Sequence, residues 1–265
     1  MPFLQLKYWR GIYDSLQRMG CEVHTARVGP VLSLKCRAKQ LHSFLEDNFA
    51  GKSVNLVAHS MGGLDGRYVI SHIPNRSYHI LSLTTIATPH RGSSFMDWVR
   101  DTLGVGTIDH YAKRHTDDVV IASNKFDSNR RHFSHHKSPI LHAIRSHLDA
   151  PAFTNLTRDY CLAFNELSKD DPSVLYASYA AVSHVSKLAP LHFSYQIIQS
   201  IEGANDGLVS LESAKWGEFK GILNCDHWDL VPPKVRGLAT AINGKRFDPI
   251  QFYKHVAHDL AKDGF

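Results

Sequence analysis

Cysteine is scarce in this 265-residue sequence: Cys21, Cys36, Cys161 and Cys225 are the four present, far apart and without a CxxC pair. That spacing argues against a zinc ribbon and against a thioredoxin-like redox motif. No apolar run approaches the ~18 residues that a bilayer-crossing helix needs. The opening segment MPFLQLKYWRGIYDSL lacks the uninterrupted apolar core and the small-residue cleavage site of a secretory leader. Together with sparse cysteine, this points to a soluble intracellular chain, cytoplasmic or organellar. No repeat and no linker divides the chain, and no nucleic-acid-binding module is visible.

What is present is ample apolar material. Hydrophobic residues make up 43% and charged residues 21% of the chain, which suffices for a large core and excludes a disordered protein. Thirty Lys and Arg outnumber twenty-five Asp and Glu, for a net charge of +5, with 18 His besides. That balance fits loose attraction to an anionic surface and fits plain solubility equally, so charge decides little.

Strand-like and helix-like patterns alternate along the first ninety residues. Leu6, Trp9, Ile12 and Leu16 predict a helix over 5–19, ended at Gly20, and Glu22 to Val28 reads as a short strand. Ala38, Leu41 and Leu45 predict a helix over 33–48, stopped by Gly51. Val54 to Val57 is a strand, 62–72 a helix ending before Pro74, and Ile80 to Ala87 a buried strand. Further strands are expected at Val174 to Val182 and Tyr195 to Ile201, and a last helix at about 249–261. This rhythm implies an α/β fold with a mostly parallel sheet and helices on both faces. Residues 91–160 interrupt it. They are polar and read as a lid-like insertion in one domain spanning 1–265, with His132, His135 and His136 beside Arg130, Arg131 and Lys137 as a cationic patch suited to anionic phospholipid. Adjacent histidines cannot readily share one ion, so no metal is expected there.

The strongest chemical signal is Val54-Asn-Leu-Val-Ala58-His-Ser60-Met-Gly-Gly63. An apolar strand runs straight into Ala-His-Ser-Met-Gly and then into a helix. A serine nucleophile on a strand-to-helix elbow needs small residues two positions to either side, because the sharp turn brings strand and helix together. Ala58 and Gly62 meet that need. The helix start would offer the Met61 N–H to a developing oxyanion. A base and an acid must come later in the chain. Asp206, in the turn Gly203-Ala-Asn-Asp-Gly207, and His227, in Asn224-Cys-Asp-His-Trp-Asp229, occur in the required order of nucleophile, acid and base. Asp226 and Asp229 lie too near His227 in sequence to be first choice for the acid.

The chain resembles the triacylglycerol lipases of bacteria and their fungal intracellular relatives. The matching pieces are Tyr8-Trp-Arg-Gly-Ile12, VNLVAHSMGG with Arg67-Tyr68, Ala87-Thr-Pro-His-Arg-Gly-Ser93, Leu162-Ala-Phe-Asn165, Asn205-Asp-Gly-Leu-Val209 and His227-Trp-Asp229. The resemblance implies an α/β-hydrolase fold and hydrolysis of acyl esters through an acyl-enzyme, with Ser60 as nucleophile, Asp206 as acid and His227 as base. In the family an apolar strand and a His-Gly-type oxyanion loop precede the Tyr-Trp segment. Here Tyr8 lies a few residues from Met1, so that strand and a second oxyanion donor are expected to be missing. Bacterial relatives carry a structural calcium near the catalytic histidine, and Asp229 matches one ligand position. With no aspartate partner between Val182 and Ile201, neither a metal nor a cofactor is expected.

The expected activity is therefore that of a serine ester hydrolase on lipid acyl esters, foremost triacylglycerol, with peripheral contact to a lipid droplet or membrane surface. The alternatives are a catalytically impaired, lipase-derived binding or regulatory protein, a phospholipase, and a short-chain carboxylesterase.

Overall fold

Four short runs of apolar and β-branched residues line up as one parallel sheet. They are β1 (Ser53–His59), β2 (His79–Ile86), β3 (Leu175–Ala181) and β4 (Glu218–Leu223), in the spatial order β1-β2-β3-β4. The computed structural model describes residues 8–103, 151–231 and 247–265. Parallel neighbours cannot be joined by a tight hairpin, so each strand returns through helix. α1 (Ile12–Arg18) and α2 (Leu34–Phe49) precede the sheet, and α3 (Gly62–His72) joins β1 to β2. Between β2 and β3 stand α4 (Ser94–Leu103), α5 (Pro151–Thr154) and α6 (Arg158–Leu167). α7 (His192–Ile201) and α8 (Leu211–Ala214) lead to β4, and α9 (Pro249–Lys262) ends the chain.

The helix ends follow local chemistry. Ser33 Oγ accepts from the Cys36 N–H at 3.3 Å to start α2, and Gly51, at φ +74°, follows its end. Asp248, just ahead of α9, accepts from the Ile250 and Gln251 amides of its first turn, and the first residue of that helix is Pro249. Each face of the sheet is covered. On one, Leu34, Ala38 and Leu45 of α2 and Leu64 of α3 pack with Leu83 of β2 and Phe164 of α6. On the other, Ile12 of α1 and Phe252, Tyr253 and Val256 of α9 cover Ile86 and Tyr179.

Three expectations change in the structure. The first helix begins only at Ile12, because Gly11 sits at φ +79°, where no helix can continue; residues 1–7 lie outside the described chain. Glu22 to Val28 forms no ladder. Its β-branched residues express strand preference only beside a partner, and side chains of α2 hold the following turn instead. Gln40 accepts from the Gly29 N–H at 2.8 Å and Arg37 donates to Gly29 O at 3.2 Å. Tyr195 to Ile201 is helix, not strand. Ser194 and Ile198 are the buried positions of α7 and Leu191 just before it is buried too, a spacing of three and four that an apolar, β-branched run concealed. The cationic patch at 130–137 falls outside the described residues.

A buried ion pair ties α2 to α3. Arg37 Nε and Nη2 reach Asp65 Oδ1 and Oδ2 at 3.0 and 2.6 Å, both side chains nearly sealed from solvent. Burial still pushes the Asp65 carboxyl above its ordinary range, against the pull of Arg37. The pair is thus strongly interdependent rather than a large net gain. Removing one partner should strand the other: Asp65→Ala is expected to cost about 3–5 kcal/mol in urea unfolding, whereas Arg37→Met with Asp65→Leu together should cost far less.

Candidate active site

β1 delivers its last residue, His59, directly to Ser60, whose backbone turns left-handed at φ +56° before α3 begins at Gly62. An L-residue occupies that region only when its surroundings hold it there, at a cost of about 1–3 kcal/mol. The Ser60 N–H donates to Ile86 O at 2.9 Å, and Ser60 O accepts from Thr88 Oγ1 at 2.7 Å and from the Gly63 N–H at 3.1 Å. At the end of the neighbouring strand Ala87 is also left-handed, at φ +48°, with its N–H on Tyr179 O at 2.9 Å. Two adjacent strand ends are therefore bent together.

Small residues are needed here for a more specific reason than the motif suggests. A Cβ on Gly62 would lie 3.7 Å from Ala58 Cβ, an ordinary contact, so these two positions simply face each other. A Cβ on Gly63 would meet Thr88 Oγ1 at 2.3 Å and Thr85 Cγ2 at 2.8 Å. Gly63 thus lets α3 approach β2 and the turn after it, as does Gly66, whose Cβ would meet Leu83 Cδ1 at 2.9 Å.

Ser60, Asp206 and His227 come together from three parts of the chain. His227 Nε2 lies 3.0 Å from Ser60 Oγ, and His227 Nδ1 lies 2.7 Å from Asp206 Oδ2. Asp206 is 0% exposed and His227 4%. The other carboxylate oxygen, Oδ1, accepts from the Leu208 and Val209 amides at 2.9 and 2.7 Å. A second tie, from the His227 N–H to Asp206 O at 3.0 Å, locks the two loops together. A buried carboxylate with both oxygens hydrogen-bonded can hold an imidazole in one tautomer, its remaining nitrogen toward the serine. Asp226 is used locally: its Oδ1 accepts from the Trp228 and Asp229 amides at 2.9 and 3.0 Å and so shapes the turn that presents His227. Met61 is buried at the start of α3, where the first amides of a helix have no partner within it.

Three further buried or bracing residues near the elbow, His59, Thr88 and Arg67, had no role assigned from motif and order. His59 is buried, with its Nδ1 hydrogen-bonded to the Tyr8 hydroxyl and its ring 4.6 Å from that of His227. Thr88 braces both Ser60 and Gly63, as above. Arg67, fully buried in α3, donates to Asn165 Oδ1 at 2.7 Å and Ser168 O at 3.3 Å while its guanidinium lies 3.5 Å over the Trp216 ring. Burial pulls Arg67 down to about 10, still a cation at neutral pH. The sequence offered these residues only as members of matched segments, Tyr8 to Ile12, VNLVAHSMGG with Arg67-Tyr68, and Ala87-Thr88-Pro89, without roles. Burial also raises the Cys161 thiol to about 12 and lifts Cys225 higher still, so neither supplies a thiolate that competes with Ser60.

Asp229, the position that the resemblance matched to a calcium ligand, lies in the turn shaped by Asp226, and among the described residues no three His, Cys, Asp or Glu side chains gather as a metal would require.

No family model matches the chain. It is 35% identical to triacylglycerol lipase 2 of Saccharomyces cerevisiae, over 99% of its own length and 76% of that protein's. It is 26% identical to a triacylglycerol lipase of Vibrio cholerae, over 98% and 83% of the two lengths. Among solved structures, a metagenomic carboxyl esterase superposes with a TM-score of 0.69 at 18% identity, over 98% of this chain and 71% of that one. The Staphylococcus hyicus lipase does so at 0.67 and 18%, over 97% and 90%. The parallel sheet wrapped by helices is the α/β-hydrolase fold of these neighbours.

The two glycines after Met61 should respond differently to a methyl group. Gly62→Ala is expected to change stability by less than about 1 kcal/mol, while Gly63→Ala should cost about 3 kcal/mol or more through overpacking against Thr88 and Thr85. Thermal unfolding of the two variants checks this, and equal losses would contradict it.

Proposed function

The chain belongs to the triacylglycerol lipase family and is a carboxylic ester hydrolase, and on that premise we propose that it cleaves lipid acyl esters, foremost triacylglycerol, through an acyl-enzyme on Ser60. One observation carries the reading: Ser60, on a left-handed elbow, is joined to His227 at 3.0 Å and through it to Asp206 at 2.7 Å.

In this mechanism Ser60 Oγ attacks the ester carbonyl while His227 Nε2 takes its proton. The imidazolium so formed is stabilised by Asp206, whose negative charge is held in place by the Leu208 and Val209 amides. The Met61 N–H, at the amino end of α3, receives the oxyanion. His227 then gives the proton to the departing alcohol, leaving the acyl group on Ser60. A water molecule, deprotonated by His227, releases the acid and restores Ser60.

The chain is read as one hydrolase domain, 1–265, with the stretch from 91 to 160 inserted between β2 and β3. The described ends of that stretch support this. The Ser93 N–H donates to Leu156 O at 2.9 Å, and Arg158 Nε meets Asp97 Oδ2 at 2.6 Å, so departure and return lie side by side. Peripheral contact with a lipid droplet or membrane is part of the same reading. Leu188 is 95% exposed next to Lys187, and Phe193 is 53% exposed, an apolar tip with a neighbouring cation. Among the described residues no helix is long and apolar enough to cross a membrane. Four free cysteines favour an intracellular, reducing compartment.

Hydrolysis of short-chain and emulsified long-chain esters by the full chain tests the proposal. Ser60→Ala and His227→Ala should each lower kcat by at least ~10⁴-fold, and Asp206→Asn by ~10³–10⁴-fold, with folding unchanged by circular dichroism. Faster turnover of emulsified long-chain substrate would mark a lipase, and faster short-chain turnover an esterase. Retained hydrolysis in Ser60→Ala would sink the acyl-enzyme.

A further inference from the structure

His59 precedes the nucleophile, yet the mechanism above gives it no task. It is the last residue of β1, buried, and its ring lies against that of His227 with centroids 4.6 Å apart and planes at 40°. Its two nitrogens are used unequally. Nδ1 is hydrogen-bonded to the Tyr8 hydroxyl. Nε2 is buried and meets no hydrogen-bond partner among the described residues, although the His227 backbone carbonyl lies near enough to favour a proton on the ring. A buried ring nitrogen without a full partner is uncommon and calls for a reason.

The tautomer follows from the neighbours. Burial raises the Tyr8 phenol to about 12, so at neutral pH it carries its proton and can donate. The His227 backbone carbonyl on the Nε2 side favours the ring proton there, which leaves Nδ1 to accept from the Tyr8 hydroxyl. Burial, and next the charge that His227 acquires, push His59 well below the ordinary histidine range, so it stays neutral when His227 becomes a cation. Tyr8 is itself fixed, edge-on to Trp9 at 5.2 Å, and Trp9 is edge-on to Tyr253 at the same distance.

We propose that His59, oriented by Tyr8, is a positioning residue for His227: a neutral imidazole wall, with its N–H directed at the His227 loop, that keeps the His227 ring in line between Ser60 Oγ and Asp206 Oδ2. His227 moves between neutral and charged forms twice in each turnover, and each form must keep the same two contacts. Asp206 grips one end of the ring only. A flat, uncharged neighbour restricts the swing of the other end and adds no second positive charge when the imidazolium forms. The inference rests on the assignment of His227 as the base and falls with it.

The test compares the full chain with its Tyr8→Phe, His59→Phe and His59→Gln variants. Measured are kcat and KM on one soluble ester, the thermal midpoint, and the downfield proton resonance of the His227 Nδ1–H shared with Asp206. His59→Phe keeps the ring and loses the N–H, so kcat should fall about 10-fold or more with KM unchanged within about twofold, and the resonance should broaden or move. His59→Gln restores an N–H donor at the end of the side chain and should recover most of the loss. Tyr8→Phe, with its half-exposed ring retained, should lie between the two. Unchanged kcat and resonance in His59→Phe would overturn the proposal. So would equal losses in the Phe and Gln variants that track a lowered thermal midpoint, since that marks packing alone. If His59→Phe does not fold, Tyr8→Phe decides: a wild-type kcat and resonance there reject the role. Failure of the underlying assignment looks different, because Ser60→Ala would then go on hydrolysing the ester.

Discussion

The left-handed backbone at Ser60 is the constraint around which the rest is arranged. It costs about 1–3 kcal/mol by itself, and it persists because several interactions converge on the same few atoms. Ile86 O takes the Ser60 amide, and Thr88 takes its carbonyl. The close seat of α3 on β2, permitted by Gly63, removes the space into which the turn would relax. Behind the elbow, Arg37–Asp65 binds α3 to α2, and Arg67 binds it to α6 and Trp216. Two buried charged groups on one helix, Asp65 and Arg67, resist displacement more than apolar packing alone would, because moving either leaves a charge without partners.

Charge is distributed with the same economy. Asp206 is fully buried with both carboxylate oxygens hydrogen-bonded, so its Oδ2 is held in place beside His227. The other two histidines near the elbow, His59 and His90, are driven toward neutrality, first by burial. His90 is also opposed by Arg67 and Arg91, and it settles as a neutral ring 3.0 Å from Thr85 Oγ1. Proton chemistry is thereby concentrated on a single imidazole in a region that contains three.

Much of this was readable from local sequence, because the elbow needs features that sit next to one another. A short apolar strand, small residues at 58 and 62, and a helix start are all adjacent in the chain, and chain order, the turn at Gly203 to Gly207 and the family resemblance together pointed to Asp206 and His227 among 18 histidines and many acids. What resisted reading depends on distant partners. Nothing near Arg67 in sequence announces Trp216, and Thr88 acquires its importance only from the glycine it touches. The two strand assignments that failed share a cause: β-branched composition is a statement about packing, and Glu22 to Val28 has no ladder partner among the described residues while Tyr195 to Ile201 packs as helix. Residues 104–150, read as most of a lid-like insertion, lie outside the described residues.

The paired ends of the stretch between β2 and β3 carry a consequence for how this scaffold can diversify. Ser93 with Leu156, Asp97 with Arg158 and Arg100 with Asp159 form a clasp at its base, with contacts of 2.9, 2.6 and 3.1 Å. Once a clasp holds the two feet of a segment, lengthening the segment adds only about 0.6 kcal/mol of closure entropy per doubling. The contacts at the base hold the two feet of the segment to each other. Segments of different length and polarity can be exchanged above it, in natural drift or by graft, while the distances among Ser60, His227 and Asp206 stay as they are.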